Sequence, residues 1–227
     1  MKRILVTGGT GVLGSALTRE LCAQGFEVVA IFHLNEERAR ELQRDTGCEI
    51  SRADCREEAG VEALFDGRKF DGVVHLAGWN QNALAVQTSP PLWRSVLESH
   101  LDSSFLMCRA GLQHLPRGGQ LLLVSSRVGL RGHVGQSAYA AAKAGVLGLM
   151  KSAALEGRER GVCVNAICPG FAPGSSGVLS PLQQEKRAGE ELLPASDARE
   201  GFATLVCWLL RSNCCISGQI LRPDCRI

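Results

Sequence analysis

The sequence lacks the features that mark several large classes of protein. No apolar run approaches the roughly 18 residues that a membrane-spanning helix needs, so we expect no membrane partner. Its 25 Lys and Arg and 23 Asp and Glu give a formal net charge of +2 and are scattered along the chain. Nucleic-acid binding depends on clustered positive charge, so we expect no nucleic-acid partner. The apolar run after Met1 soon ends in glycines, unlike a signal peptide, and the expected location is the cytoplasm.

The ten cysteines include no Cys-x-x-Cys pair. That spacing is typical of zinc and redox sites, so we expect no metal site and no disulfide framework. Cys163, Cys168 and Cys207 stand in apolar runs, where cysteine commonly serves as a small buried hydrophobic residue. We expect the cysteines to be reduced and structural. A redox role of the adjacent Cys214 and Cys215 remains the alternative.

Short apolar runs alternate with amphipathic stretches, and this alternation predicts the fold class. Apolar strands separated by helices form parallel sheets that are covered on both faces. We therefore predict a single α/β domain over residues 1–227, a doubly wound Rossmann-type sheet with helices on both faces. The predicted strands are Arg3–Thr7, Phe26–Phe32, Cys48–Ala53, Asp71–Ala77, Gln120–Ser125, Val162–Ile167 and Ser217–Leu221.

Helical spacing of apolar residues predicts the segments between these strands. Pro169–Pro194, rich in Pro, Gly and Ser, is the one long irregular region, and we expect a substrate loop there at about residues 171–193. The predicted helices are Leu13–Leu21, Asn35–Asp45, Glu57–Phe65, Leu92–Leu115, Ser137–Glu156 and Asp197–Arg211, the last with Ser196 or Asp197 as its N-cap.

A glycine-rich turn, Thr7-Gly-Gly-Thr-Gly-Val-Leu-Gly14, lies between the first strand and the first helix. Glycines let the backbone turn sharply and approach a pyrophosphate, and the helix N-terminus offers N–H donors and a positive dipole end. The turn is therefore predicted to bind a nucleotide. Its predicted cofactor-binding residues are Gly8, Thr10, Gly11, Val12, Leu13 and Gly14.

The end of the second strand indicates which nicotinamide cofactor fits. A carboxylate there binds the adenosine ribose hydroxyls and repels a 2′-phosphate. Here the strand ends in Phe32 and His33 without an acid, which favours NADP(H) over NAD(H). No arginine stands at this turn, so NAD(H) remains open.

Tyr139-Ala-Ala-Ala-Lys143 places a phenol and an ammonium one helical turn apart on the same face. A nearby cation favours the phenolate and lowers the phenol pKa from its usual value of about 10. Ser126 follows the fifth strand, at the sheet edge where open α/β sheets bind ligands, and can hold a substrate carbonyl. Taken alone, Tyr139 and Lys143 could equally be residues that pack on the surface of a helix. Together with the glycine turn, these residues indicate proton transfer beside a nicotinamide cofactor.

The sequence at this point resembles the short-chain dehydrogenase/reductase family over essentially its whole length. Gly135–Gly145 with Val164–Gly170 is most similar to the 3-oxoacyl-carrier-protein reductase branch. The residues that carry the family resemblance are Thr7–Gly14, Asp54, Ala77-Gly78, Ser126, Tyr139, Lys143, Asn165 and Pro169-Gly170.

The resemblance implies a seven-stranded parallel sheet in the order 3-2-1-4-5-6-7 and an NAD(P)-dependent reduction of a ketone, or its reverse. The substrate would be a small carbonyl or alcohol, including a carrier-bound acyl thioester, and the protein would be a homodimer or homotetramer paired through its long helices. Ser126 would orient the carbonyl, Tyr139 would act as acid or base, and Lys143 would tune it and bind ribose. The implied cofactor contacts are His33, Asp54, Cys55, Ala77, Gly78, Pro169 and Gly170.

The sequence departs from the family pattern at several positions. The family's water-holding asparagine of the fourth helix falls at His100, which leaves a relay role or simple core packing open. His75 replaces another asparagine and is expected to pack. The threonine that usually follows the Pro-Gly pair appears as Gly174, and the usual terminal Asp-Gly-Gly as Pro223-Asp224-Cys225.

These departures keep two alternatives open. One is a nucleotide-binding sensor or scaffold of the same fold that has lost turnover. The other is an extended relative such as a nucleotide-sugar epimerase, suggested by the glycine spacing, although little chain follows the seventh predicted strand. The site mouth is expected to be lined by Gly78–Leu84, Val128–Val134 and Phe171–Leu193.

Overall fold

The computed structural model describes residues 1–170, 198–212 and 215–223. Seven strands form one parallel sheet within these residues, in the order β3-β2-β1-β4-β5-β6-β7. The predicted fold class and strand order are confirmed. The strands are β1 (Arg3–Thr7), β2 (Glu27–Phe32), β3 (Glu49–Arg52), β4 (Gly72–His75), β5 (Gln120–Val124), β6 (Cys163–Ile167) and β7 (Ile220–Leu221).

Helices connect the strands and cover both faces of the sheet. A short 3₁₀ turn at Ala85–Gln87 follows β4, and a π-helical turn at Glu98–Asp102 interrupts the next long helix. The α-helices are α1 (Val12–Ala23), α2 (Glu36–Thr46), α3 (Glu58–Phe65), α4 (Pro90–Leu97), α5 (Ser103–His114), α6 (Arg127–Arg131), α7 (Ser137–Arg160) and α8 (Ala198–Ser212).

The sheet separates the core into two layers because alternate residues of a strand point to opposite faces. On one face Leu5 and Ile31 pack in a layer that includes Met107 of α5 and Met150 of α7. On the other face Ile4, Val6, Val28 and Ala30 pack with side chains from α1, α2 and α8. Each fully buried Leu or Ile contributes on the order of 2 kcal/mol to the free energy of unfolding. Burial on both faces explains why the strands are apolar throughout.

β1 lies between β2 and β4 in the sheet. The strands β2 and β3 extend the sheet on one side of β1, and the strands from β4 onwards extend it on the other side. Ligands of open α/β sheets bind beside such a switch point, at the carboxyl ends of the strands. Thr7 and His75 end β1 and β4 and are register partners. This edge also carries the ends of β2, β3, β5 and β6, so it gathers most of the predicted site residues.

The predicted helix Leu92–Leu115 differs from the structure in its start and its regularity. The helix begins at Pro90, because the Ser89 hydroxyl accepts a hydrogen bond from the Leu92 backbone N–H and proline suits the first helical turn. The π-helical turn then inserts before α5. π-turns are common at functional sites, and this one carries His100.

Some predictions fall outside the described residues. These are the substrate loop at 171–193 with Gly174, the proposed caps Ser196 and Asp197, Cys214, and the terminal Asp224 and Cys225. Among the described residues, no helix is long and apolar enough to cross a membrane. The same residues contain no cluster of side chains suited to hold a metal ion.

Candidate active site

The glycine turn brings the ends of β1 and β4 into contact. Gly8 has a φ of 65°, and a Cβ on it would lie 2.9 Å from the Ala77 backbone nitrogen. Gly11 is the N-cap of α1 and makes no side-chain cap hydrogen bond, so the first N–H groups of the helix are not capped by a side chain. Such a helix start suits a phosphate group. All six cofactor residues predicted here lie in this turn or at the start of α1: Gly8, Thr10, Gly11, Val12, Leu13 and Gly14.

A chain of buried hydrogen bonds links β1, β4 and α5. Thr7 Oγ1 lies 2.8 Å from His75 Nδ1, and His75 Nε2 lies 3.2 Å from Ser103 Oγ. Ser103 donates its hydroxyl proton to the Ser99 carbonyl at 2.8 Å, so His75 Nε2 is the donor to Ser103. Burial, assisted by the Lys143 charge, lowers the His75 pKa to about 3 and keeps the imidazole neutral. His75 is therefore a hydrogen-bonded core residue, in line with the expected packing role.

The same network fixes the turn after β4. Thr7 Oγ1 accepts hydrogen bonds from the backbone N–H groups of Leu76 and Ala77, each at 3.2 Å. The Trp79 backbone N–H donates to Ser99 Oγ at 2.8 Å. Sequence reasoning missed the role of Thr7 and Ser99, because neither lies in a pattern that indicates a contact across the sheet edge.

Ser126, Tyr139 and Lys143 meet at the carboxyl end of β5. Ser126 caps α6 by accepting a hydrogen bond from the Val128 backbone N–H at 3.2 Å, and its hydroxyl is close enough to the Tyr139 phenol to act on the phenol pKa. Lys143 lies one turn further along α7 and is buried. Its Nζ donates to the Val124 carbonyl at 2.7 Å and stands 5.7 Å from the centroid of the Tyr139 ring.

The environment changes the pKa of both ionisable groups. Burial raises the pKa of the Tyr139 phenol, and the neighbouring Ser126 hydroxyl acts in the opposite direction. Burial lowers the pKa of Lys143 from 10.5 to about 8. The sequence predicted that Lys143 lowers the Tyr139 pKa. That prediction is wrong, because burial is the largest effect on the phenol and the net result is a raised pKa. A neutral phenol is a proton donor, which suits the reduction of a carbonyl.

Helices α6 and α7 hold these groups in a fixed relation. Ser125 Oγ donates to the Lys143 carbonyl at 2.8 Å. A Cβ on Gly129 would lie 2.7 Å from the Lys143 carbonyl carbon, so only glycine permits this approach of the two helices. The strand end that carries Ser126 is thus tied directly to the helix that carries Tyr139.

His100 packs against the tyrosine ring. Its ring is edge-on to the Tyr139 ring, with centroids 5.0 Å apart. A Cβ on Gly78 would lie 2.1 Å from the imidazole, so the glycine leaves the room that the ring fills. Both ring nitrogens are buried and make no hydrogen bond of normal geometry among the described residues, although the Trp79 backbone lies near enough to raise the His100 pKa slightly. Burial lowers the His100 pKa well below its usual value, with further lowering by Lys143, so the ring is neutral at physiological pH.

The adenosine end of the predicted site contains ion pairs that the sequence did not indicate. Arg56 binds Asp54 with two side-chain nitrogens, Nε to Oδ1 at 3.0 Å and Nη2 to Oδ2 at 2.6 Å. These bonds lower the Asp54 pKa to about 2. His33 Nε2 lies 3.5 Å from Asp54 Oδ2, and Arg52 Nε donates to the His33 carbonyl at 3.0 Å.

The remaining predicted residues divide between the site edge and the sheet. Cys55 is buried beside Thr7, and burial raises its thiol pKa to about 12, so it contributes shape and not reactivity. Pro169 and Gly170 follow β6 at the same edge and are half-buried. Asn165 instead bonds the segment before β7, donating to the Ile216 carbonyl and accepting from the Gln219 N–H, and it stabilises the sheet.

Comparison with known proteins matches residues 2–187 of this chain to the short chain dehydrogenase family. The chain is 35% identical over 180 residues to an acetoacetyl-CoA reductase of Shinella zoogloeoides, which covers 75% of this chain and 74% of that protein. It is 31% identical over 238 aligned positions to a 3-oxoacyl-[acyl-carrier-protein] reductase of Chlamydia muridarum, covering 98% of this chain and 96% of the relative.

A solved structure shows the same architecture. The crystal structure of a dehydrogenase/reductase from Sinorhizobium meliloti 1021 superposes with a TM-score of 0.89 at 25% sequence identity. The superposition covers 97% of this chain and 92% of that chain. The similarity therefore extends over the sheet, the glycine turn and the helices that carry Ser126 and Tyr139.

Proposed function

This chain belongs to the short-chain dehydrogenase family of NAD(P)-dependent oxidoreductases, and we propose that it reduces a ketone to a secondary alcohol, or catalyses the reverse, at Ser126, Tyr139 and Lys143. One observation carries the proposal. The Ser126 hydroxyl lies close enough to the Tyr139 phenol to act on its pKa, one helical turn from a buried lysine and at the sheet edge of the glycine turn. This is a proton donor with a second hydroxyl positioned beside it.

The described residues fit a nicotinamide dinucleotide. The uncapped start of α1 would hold the pyrophosphate, and Ala77 and Gly78 would pass the adenosine ribose. Asp54 and Cys55 would contact the adenine. Pro169 and Gly170 would lie against the nicotinamide, and Lys143 would bind its ribose. When bound, the cofactor supplies or accepts the hydride at the substrate's carbonyl carbon.

The proton step belongs to the chain's own residues. Ser126 donates a hydrogen bond that orients the carbonyl oxygen, and Tyr139 donates its phenolic proton to that oxygen as the alcohol forms. The raised pKa of Tyr139 keeps the phenol protonated before the step. Lys143, with a pKa near 8, is largely cationic at neutral pH and stabilises the phenolate that remains.

His100 supplies hydrogen-bonding groups behind the tyrosine. A buried imidazole without a well-formed hydrogen bond among the described residues is costly, since an unmade hydrogen bond costs about 1–3 kcal/mol. We assign it a relay role, in which its ring exchanges hydrogen bonds with a water that returns a proton to Tyr139. A neutral ring can both donate and accept, as a relay requires.

The names of the relatives and the site mouth support one substrate class. The two relatives are named as reductases of acetoacetyl-CoA and of 3-oxoacyl groups on acyl-carrier protein. A 3-oxoacyl thioester is therefore the substrate we propose, and NADPH is the favoured cofactor. Trp79 stands 43% exposed after the Ala77-Gly78 turn and offers an apolar wall to an acyl chain.

We further propose that copies of this chain assemble into a dimer or tetramer through the helices α4, α5 and α7. Trp93 of α4 and Phe105 of α5 are exposed apolar side chains on these helices. Sedimentation of the wild type against Phe105→Glu tests this assembly. A monomeric wild type would contradict it.

A second function is supported by one observation. The His100 ring fills the space above Gly78 and touches the tyrosine, which would also suit a nucleotide-binding sensor without turnover. The oxidation of NADPH and NADH with acetoacetyl thioesters, simple ketones and quinones separates the two functions. Binding of either nucleotide without turnover across this panel favours the sensor.

The catalytic assignment has its own test. Tyr139→Phe removes the transferable proton and should lower kcat by about 1000-fold, within the usual contribution of general acid catalysis, while nucleotide binding stays close to wild type. An unchanged kcat in Tyr139→Phe would rule out the proposed mechanism.

A further inference from the structure

Two surface loops meet beside the first turn of α7. The β4 loop (residues 79–83) follows the end of β4, and the α7 loop (residues 132–136) leads into α7. The Ala83 N–H donates to the Gly135 carbonyl at 2.9 Å, and Ala83 and Gln136 form an isolated parallel β-bridge. The two loops are therefore joined through their backbones at one point.

The side chain of Asn82 adds two further hydrogen bonds at this junction. Its Oδ1 accepts from Gln136 Nε2 at 3.0 Å and from Asn80 Nδ2 at 2.8 Å. A carboxamide oxygen has two lone pairs, so both of them are used. Asn82 thereby holds its own loop in shape and binds that loop to the residue that precedes α7.

Gln136 transmits this contact to the helix. It is the N-cap of α7, and its carbonyl accepts the Ala140 N–H at 2.7 Å, which closes the first helical turn. The Gln136 side chain caps no N–H group of the helix, and its amide is bound to Asn82 instead. Tyr139 is the third residue of α7. A displacement of Gln136 therefore moves the backbone from which the phenol projects.

The other end of the β4 loop is anchored to the helical segment that carries His100. The Trp79 N–H donates to Ser99 Oγ at 2.8 Å, and Ser99 and His100 are neighbours in the π-helical turn. The His100 ring packs edge-on against Tyr139. The loop from Trp79 to Asn82 thus connects the two elements whose rings meet in the site.

We propose that Asn82 is a positioning residue for the reaction: its carboxamide oxygen holds the first turn of α7 against the β4 loop and so sets the position of the Tyr139 phenol. This inference rests on the proposed function, because it concerns the placement of the same tyrosine. A hydrogen bond within a protein changes an equilibrium by about 2- to 10-fold, and misplacing a reacting group by about 1 Å can lower a rate by about 100-fold. Loss of the Asn82 oxygen should therefore lower kcat by about 10-fold.

Tyr139 is the only tyrosine of the 227 residues, so its ring can be observed directly. NMR of the full-length protein containing isotopically labelled tyrosine gives one set of ring resonances and requires no turnover. Asn82→Leu keeps the approximate size and removes the acceptor, so it should shift or broaden these resonances. Gln136→Met removes the donor and should change them in the same direction. Asn82→Asp restores an acceptor and should return them towards their wild-type positions.

Steady-state kinetics with an acetoacetyl thioester and NADPH provides the second measurement. Asn82→Leu and Gln136→Met should each lower kcat by about 10-fold and change KM by less than about twofold. The double variant should lose no more than either single variant, because both changes remove one interaction. Asn82→Asp should recover most of the loss in kcat.

Gln24→Ala is the matched control for both measurements. It removes an exposed side-chain hydrogen bond of similar length, from Gln24 Nε2 to Glu20 Oε1 at 2.9 Å, at the end of α1. The tyrosine resonances and kcat should both stay at their wild-type values. An equal effect of Gln24→Ala and Asn82→Leu would overturn the positioning role.

The positioning role and the proposed function fail in different ways. Unchanged Tyr139 resonances in Asn82→Leu, or losses of kcat that multiply in the double variant, overturn the positioning role and leave the oxidoreductase function standing. Asn82→Asp as impaired as Asn82→Leu in both measurements has the same meaning. A wild type without turnover, whose Tyr139 resonances still shift in Asn82→Leu and return in Asn82→Asp, refutes the proposed function and retains the structural link from Asn82 to Tyr139.

Discussion

The imidazole of His100 stands edge-on to the phenol ring of Tyr139, with an interplanar angle of 78° and centroids 5.0 Å apart. The positive edge of one ring thus meets the face of the other, an arrangement that adds about 0.5–1.5 kcal/mol beyond burial. The contact orients Tyr139 and brings the two buried imidazole nitrogens to its side. Substitutions that keep the ring but remove its nitrogens can therefore distinguish the packing role of His100 from its hydrogen-bonding role.

His100→Phe keeps the aromatic edge and removes both nitrogens. If the ring relays protons, kcat should fall by about 100-fold, the lower end of what a positioned proton-transfer group contributes. His100→Asn restores hydrogen-bonding groups and should recover most of that loss. The solvent deuterium isotope effect on kcat should change in His100→Phe, which a purely structural role would not produce. Wild-type kcat in His100→Phe would refute the relay.

Gly78→Ala should destabilise the fold. The added methyl group would lie 2.1 Å from the imidazole, at a backbone φ of 150° that other residues rarely adopt. Overpacking of this kind costs about 1–3 kcal/mol, measurable by urea unfolding. Gly148→Ala is the control, because nothing lies near its added Cβ within α7, and it should stabilise the helix by about 0.5–1 kcal/mol. A neutral Gly78→Ala would mean that the ring moves freely.

Thr7→Val tests the network at the ends of β1 and β4. The change leaves the Ala77 N–H and His75 Nδ1 without their shared partner, while the Leu76 N–H keeps the Thr7 backbone carbonyl at 3.3 Å. We therefore expect a loss of about 2 kcal/mol in the free energy of unfolding. Thr18→Val is a matched control, since the buried Thr18 hydroxyl has no partner among the described residues. It should be neutral or stabilising. Equal losses in both would show that the hydroxyl network contributes nothing.

Lys143 gives the stability a defined pH dependence. The unfolded chain holds this proton up to about pH 10.5, whereas the folded protein releases it near pH 8. Between these values the unfolded state binds more protons, so the free energy of unfolding rises with pH. At about 1.4 kcal/mol per pKa unit, the buried charge costs about 3 kcal/mol below pH 8.

Lys143→Met should therefore be more stable than wild type at pH 7, and the difference should shrink as the pH rises towards 10. Chemical unfolding at pH 7 and pH 10 measures this change. Lys151→Met, at an exposed position of the same helix, should show the same difference at both pH values. A constant difference for Lys143→Met would contradict the lowered pKa.

Much of the fold followed from local patterns. The apolar strands and the glycine turn act over short distances, so their positions were predictable to within a few residues. The spacing of Tyr139 and Lys143 defines one face of a helix before any tertiary contact is known. Their surroundings, including the bond from Lys143 to Val124, depend on α7 packing against β5.

Other features depend on register and could not be derived from spacing. Arg52 and His33 are far apart in the chain, and only the pairing of β2 with β3 brings them together. No residue pattern in the sequence predicted the π-turn that carries His100. Arg56 and Asp54 are close in sequence, but an acid and an arginine two residues apart do not in general predict an ion pair.

The capping role of Ser126 restricts what its hydroxyl can offer. One lone pair is engaged by the Val128 N–H, which holds the oxygen in place as part of the start of α6. The proton then remains the group most available to a partner outside the helix. Ser126 thus both caps α6 and directs its hydroxyl proton out of the helix. Ser126→Ala would remove the cap of α6 and the hydrogen-bond donor together.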